Sequence, residues 1–376
     1  MVDTSRIVEE FLELVQVDSV SGKERQIADL LKSKLNALGL EVKEDNAGNI
    51  TGATSGNIVG KLPANGKGPV LFLCAHMDTV EPGCGVKPLV ENGIIRSSGN
   101  TVLGADDKAG IVAILEVLRL VKEHTIRHGG LEVIFTIWEE GGLFGAKNLD
   151  YSLINARFGF VLDSEGPPGT IVTRAPSHDR IGATIRGRAA HAGINPESGI
   201  NAIHIASHAI AQMKLGRIDH ETTSNIGVIS GGIATNIIPD SVNIQGEARS
   251  LDRAKLKAQT GHMCKAIKEV AVKFGASADI ATETVYHSFN LGKDAFPVRV
   301  AVEAAVNIGL KPVLIATGGG SDANIFNHRG IVAAVLGIGM KNVHTTDEFI
   351  SVADLTENAR YLLEIVKVAQ RASGLI

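Results

Sequence analysis

Five short apolar runs, spaced along most of the chain, constrain its fold more than any other feature. They are PVLFLCAHMDTV (69–80), LEVIFTIWEEGG (131–142), FGFVLDSEG (158–166), KPVLIATGGGSD (311–322) and IVAAVLGIG (331–339). Each turns to polar residues or glycine near its end. Continuous apolar strands of this kind are buried on both faces, as in sheets covered by helices. Helical stretches stand beside them. Ile7, Phe11, Leu12, Leu14 and Val15 recur at helical spacing. Ser21-Gly22-Lys23-Glu24 has the form of a capping box opening a second helix that runs to Gly39. DDKAGIVAILEVLRLVK (106–122) reads as a strong helix. The expected fold is α/β, with a mostly parallel central sheet flanked by helices.

The middle of the chain follows another rule. DRIGATIRG, SNIGVISGG, SVNIQGEARS and ADIATETVYHS alternate apolar and polar residues, so one sheet face should be solvated. Two helices are expected between these strands, at about 196–214 and 252–274, the first with Asn195 as N-cap and Pro196 at its first position. The apolar strands then resume. An α+β insert over 177–289 therefore interrupts a discontinuous domain of 1–176 and 290–376. Two domains also suit 376 residues at roughly 150 per domain.

Composition removes several functions. The net charge is −4 and no basic block occurs, so no field draws nucleic acid or anionic lipid. Aromatics are 4%, too few for base-stacking platforms. The three cysteines, Cys74, Cys84 and Cys264, form no CxxC pair, which argues against a disulfide framework or a cysteine zinc site. The N-terminal MVDTSRIVEEFLELVQ carries acids and no basic region before an apolar core, and no run of 18 apolar residues occurs. A cytoplasmic protein without nucleic-acid or membrane partners is expected.

Open α/β sheets place their sites at the carboxyl ends of strands. His76 and Asp78 lie there, two apart and on one face, where a carboxylate can orient an imidazole. Asp106 and Asp107 open a helix; one of them either caps it or bridges two cations. Glu139 and Glu140 close an apolar strand, which is costly unless they are solvated or paired. Adjacent strand residues face opposite ways, so one can bind metal while the other acts as general base. Asp163 ends another strand, and His344 follows the strand 331–339. Each alone also fits a cap or turn. Together they form a nitrogen and oxygen set without sulfur, suited to two divalent ions. Zinc is the first expectation; cobalt or manganese fits the same ligands. Paired ions sharing a carboxylate activate water for hydrolysis.

Gly318-Gly319-Gly320 precedes an expected helix but lacks the GK[ST] ending of a phosphate loop, so closeness of Gly319 to a substrate carboxylate is the expectation. Gly319-Gly320-Ser321-Asp322-Ala323 approximates a serine-hydrolase elbow, yet no acid on a loop of its own lies between Ser321 and His344. His204 and His208 read as a pair on one helix face.

HMDTV (76–80), GADDKAG (104–110), WEEGG (138–142), VLDSEG (161–166), GRAAHAG (187–193), TNIIPD (235–240), GGGSDAN (318–324) and VHTTDEF (343–349) occur in this order. The chain thereby resembles the superfamily of peptidase T, carboxypeptidase G and aminoacylase, whose members are di-zinc peptidases and amidohydrolases. The resemblance spans nearly the whole chain, and GADDKAG and WEEGG look most like peptidase T. It implies a zinc-peptidase-type catalytic domain with an inserted lid and dimerisation domain. It implies that His76 binds one zinc and His344 the other, that Asp106 bridges them, and that Glu140 and Asp163 complete the sites. Glu139 would be general base and acid, with Asp78 orienting His76. His191 would stabilise the oxyanion, in dimeric relatives from across the subunit boundary. Asn236 and Arg249 would hold substrate, although Arg249 lies in GEAR, where relatives more often have Asp two residues earlier. The implied activity removes the N-terminal residue of tripeptides, in a homodimer formed through the lid. The alternatives are removal of an N-acyl group or a carboxypeptidase-like dipeptidase. A binding protein on the same fold would be expected to lose a ligand or the base, and every such position is filled here.

Overall fold

The computed structural model describes residues 2–371. The chain divides into two compact units. One holds the chain up to Thr173, Asn290–Ala316 and the chain from Ser321 onward; the other holds Arg174–Phe289 and Thr317–Gly320.

The first unit is built on a sheet of nine strands among the described residues. Four parallel strands form its centre, in the order Leu131–Thr136, Leu71–His76, Phe158–Ser164, Val332–Gly337. Every residue of the first two is buried, as their mostly apolar sequence requires; the one acid, Glu132, accepts from the amides of Asn155 and Ala156. Antiparallel strands extend both sides: Ile58–Leu62 and Glu41–Glu44 on one, Thr170–Ala175 on the other. The helix Ala105–Glu123 packs on the strand Leu71–His76 and against the helices Thr4–Val15 and Val352–Arg371. This places the carboxyl ends of the parallel strands, with their polar residues, at one edge of the sheet.

Two local expectations change. The run 311–322 contributes only the strand Val313–Ala316, which pairs with Thr170–Ala175 and is half-exposed rather than buried. The second helix forms as Arg25–Ala37, but Ser21 and Glu24 do not box its N-terminus. The Ser21 hydroxyl donates to Asp78 Oδ2 at 2.6 Å, and Glu24 Oε1 accepts from the amides of Gly22 and Trp138 at 2.6 and 3.1 Å. The Trp138 amide beyond a strand end has no sheet partner and takes Glu24, while the buried Asp78 carboxylate takes Ser21.

The second unit is a five-stranded sheet ordered Gly216–Arg217, Thr222–Gly231, Ser241–Ser250, Ser177–Arg186, Ser277–Tyr286. Its pairings are antiparallel. The helices Ala202–Gln212 and Arg253–Lys273 cover one face, over a core that includes Ile181, Ile185, Val242, Ile244, Met263 and Ile267. The first helix begins at Ala202 with Asn201 as cap, not at Pro196, where a single turn Pro196–Ser198 stands alone. Between them Ile200 exchanges both backbone hydrogen bonds with Arg188, and that extended pairing breaks the helical path. Among the described residues no helix is long and apolar enough to cross a membrane.

Candidate metal and catalytic site

The strand Leu71–His76 ends on His76, which is buried. Its Nδ1 lies 2.9 Å from the backbone carbonyl of Asp78. A carbonyl only accepts, so Nδ1 carries a proton, and Nε2 is the nitrogen that can serve a metal once it gives up its own proton. Nε2 faces Asp106 Oδ1 at 3.0 Å. The other oxygen of Asp106, Oδ2, lies 3.2 Å from His344 Nε2, and His344 Nε2 lies 2.9 Å from Glu140 Oε1. One carboxylate thus presents a separate oxygen to each of two imidazoles. Ligand atoms of His76, Asp106 and Glu140 cluster within 4.8 Å, as do those of His76, Glu139 and Asp163. The structure therefore brings Asp78 and Glu139 together with all five proposed ligands.

The two acids at the helix start divide the readings open to them. Asp107 caps: its Oδ1 accepts from Gly110 N at 3.2 Å, and its Oδ2 from His76 N. Asp106 has non-helical backbone angles and points at the histidines. Asp78 acts on His76 through its carbonyl, while its carboxylate is 3.5 Å from Nδ1 and accepts from the amides of Glu139 and Glu140 at 2.9 and 3.3 Å.

The electrostatics show what the cluster wants. Burial and Asp163 push the Glu139 carboxyl well above its ordinary range. Burial and Asp106 do the same to Asp163. Asp106 also bears the burial penalty, but hydrogen bonds from His344 and His76 hold it low. Asp106 and Glu140 in turn raise His344 to about 10. Crowded acids that bind protons and imidazoles that charge up are a donor set short of positive charge. Two divalent cations on the same nitrogen and oxygen donors supply it, so these residues fit a dinuclear centre.

The remaining candidates lie in the second unit. His191 is exposed, and its Nδ1 accepts from Gly193 N at 3.1 Å. It forms a backbone bridge with Ile237, and Ala192 N donates to the carbonyl of Asn236 at 2.9 Å, so His191 and Asn236 are neighbours. Arg249 sits opposite His178 on the adjacent strand, and Glu247 grips its guanidinium through Nε and Nη2, both at 3.1 Å. Gly319 has open space where a Cβ would stand, 3.8 Å from its nearest neighbour, Thr317 Oγ1. A Cβ on Gly320 would lie 2.2 Å from the Tyr286 ring, so that glycine is explained by packing.

The peptidase family M20/M25/M40 model matches residues 72–368. The chain belongs to this family. It is similar to the crystal structure of aminopeptidase PepT from Bacillus cereus at 45% identity and a TM-score of 0.89, covering 98% of this chain and 99% of that one. It is similar to a tripeptidase from Staphylococcus aureus at 43% identity and a TM-score of 0.95, covering 99% and 100%. The uncharacterized protein YqjE of Bacillus subtilis is 45% identical over 371 residues, 99% of this chain and all of that one. Within the family the chain is peptidase T-like, and it is a peptide hydrolase.

Several residues of this M20 peptidase support the cluster without having been singled out in the sequence. Glu348 accepts from Leu103 N and Gly104 N, both at 2.7 Å, and from Asp106 N at 3.0 Å, fixing the turn that aims Asp106. Its place in VHTTDEF, four residues after His344, was the available signal. Asp322, fully buried, accepts from Thr136 Oγ1 at 2.6 Å at the end of the strand Leu131–Thr136. Ser321 is no nucleophile elbow: it forms a capping box with Asn324 at the helix Asp322–His328.

Proposed function

We propose that this M20 peptidase is a di-metal aminopeptidase that removes the N-terminal residue of short peptides, tripeptides foremost, with zinc as the metal. The observation that carries the reading is Asp106, one oxygen toward His76 and the other toward His344, beside the buried Glu139. Likeness at 45% and 43% identity to an aminopeptidase and a tripeptidase over nearly whole chains supports the choice of substrate. His76, Asp163, His344 and Glu140 would hold the ions, with Asp106 between them. When bound, the ions supply Lewis acidity toward the scissile carbonyl and the attacking water. Glu139 takes a proton from that water and returns it to the leaving amine, a task suited to a carboxyl whose burial favours its protonated form. Asp78 fixes the tautomer of His76 and holds the Glu139 amide.

The test uses protein freed of metal and reloaded with zinc or cobalt, given a tripeptide of three different residues, its dipeptides and N-acetyl amino acids. Mass spectrometry should find the N-terminal amino acid and a dipeptide. Release from the carboxyl end, or hydrolysis of the N-acetyl compounds alone, would replace this reading.

We further propose that the residues 177–289 form a lid and dimerisation domain in a homodimer, with Asn236, Arg249 and Gly319 holding substrate and His191 donating to the oxyanion from the neighbouring subunit. The strand Thr222–Gly231 pairs with Gly216–Arg217 only over Thr223 and Ser224, and Val228 and Ile229 farther along it are half-exposed. An unpaired apolar edge of this kind suits a second copy. His191→Ala should leave metal content unchanged and lower kcat by ~10²–10³-fold, the cost of one oxyanion donor. Mixing it with inactive Glu139→Gln subunits should restore part of the rate. No recovery after verified subunit exchange would place the histidine's action within its own chain.

A further inference from the structure

The strand Leu131–Thr136 stops one residue before a series of amides that have no sheet partner. Four consecutive backbone N–H groups then donate to buried side chains. Ile137 N donates to Asn57 Oδ1 at 3.1 Å, Trp138 N to Glu24 Oε1 at 3.1 Å, and Glu139 N and Glu140 N to the two oxygens of Asp78. Glutamates 139 and 140 are therefore aimed by side-chain acceptors rather than by a ladder.

Trp138 is the unusual member. Its φ is 47°, in the left-handed region that non-glycine residues seldom occupy. This turn carries the chain off the strand direction just before the two glutamates. Its indole lies against Gly22, where a Cβ would stand 3.4 Å from the ring, and a Cβ on Gly141 would meet Nε1 at 2.2 Å. Glu24 Oε1 joins the two ends of this arrangement, since it accepts from Gly22 N at 2.6 Å as well as from Trp138 N.

Glu24 sits at the N-cap of the helix Arg25–Ala37, yet its side chain makes no capping bond. It is fully buried, and its Oε2 has no hydrogen-bond partner. A buried carboxyl with one oxygen unpaired weakens a fold. Its use here is the geometry of the Trp138 amide. We propose that Glu24 is a positioning residue: it clamps Gly22 and Trp138 on one oxygen and so sets the direction in which Glu139 and Glu140 leave the strand. The consequence for catalysis rests on the di-metal peptidase reading; the clamp itself does not.

The clamp needs an acceptor at full side-chain length, not a charge. Glu24→Gln retains that acceptor, Glu24→Asp is one methylene short, and Glu24→Ala has none. The expected order of kcat is wild type and Gln together, then Asp, then Ala at ~10–100-fold below wild type, the scale of a small misplacement of catalytic groups. KM should hold across the series, and metal at the position Glu140 would complete should weaken only in Asp and Ala, in step with kcat. Trp138 is the sole tryptophan of the chain, so its fluorescence reports the clamp directly in metal-free protein. Emission should move to longer wavelength in Asp and Ala variants but not in Gln. The Asp variant guards against an Ala variant that fails to fold. Asp matching or exceeding Gln in kcat and emission would overturn the proposal, as would an Ala variant with wild-type values. A wild-type protein without peptidase activity would instead sink the functional reading, while the emission order would still decide the clamp.

Discussion

Asp106→Ala is expected to reduce peptide hydrolysis further than the loss of any other proposed ligand, and to lower metal content at both positions. Its two oxygens face different histidines, at 3.0 Å from His76 Nε2 and 3.2 Å from His344 Nε2. A terminal ligand would serve one ion, whereas a bridging carboxylate in the proposed role of Asp106 would serve two. Metal assistance supplies several kcal/mol of transition-state stabilisation, so its loss should cost ~10³-fold or more in kcat. The measurements are metal stoichiometry by mass spectrometry and the rate on a tripeptide. Chelation of the wild type should abolish the same activity, and zinc or cobalt should restore it. Full activity in metal-free protein would remove the di-metal mechanism altogether.

Glu139→Gln and Glu140→Gln should separate cleanly although the residues are neighbours. Glu139 belongs to the cluster with His76 and Asp163 and is buried; Glu140 faces His344 and Asp106. If Glu139 is the general base as proposed, Glu139→Gln should lose ~10²–10⁴-fold in kcat while both metals stay bound. Glu140→Gln should lose metal at one position, with activity recovering in part at high zinc. Equal metal loss in the two variants would contradict the division of roles. Both substitutions preserve side-chain size, and the amides of both residues remain on Asp78, so a shared folding defect is not expected.

Much of the fold was legible because it depends on patterns repeated within a few residues. Mostly apolar runs announced the parallel strands, and alternating ones the sheet of the second unit. The misreadings are places where distant chain intervened. Asn195-Pro196 is a sound helix start, yet Ile200 pairs with Arg188 and postpones the helix to Ala202. The run 311–322 is apolar enough for a core strand, but Val313–Ala316 pairs with a single neighbour. Ser21 and Glu24 have capping-box spacing, but Asp78 and Trp138 take their side chains.

The site divides along the same line. The sequence by itself determined which chemistry is available: carboxylates and imidazoles, without thiolate, at the ends of strands that must be buried. Strand geometry sends every such end to one edge of a parallel sheet, so collecting the residues needs no knowledge of particular contacts. Only the tertiary structure decided which oxygen meets which partner. Asp106 rather than Asp107 faces the histidines because Asp107 is engaged by Gly110 N and His76 N, while Glu348, 242 residues away, holds the Asp106 amide. Asp78 orients His76 by its carbonyl because its carboxylate is occupied by amides 61 and 62 residues further on. Hydrogen bonds reward a donor and acceptor brought within about 3 Å, whatever their separation along the chain. Pattern in sequence reports periodicity and polarity, and pairings of this kind exist only after the layers have packed.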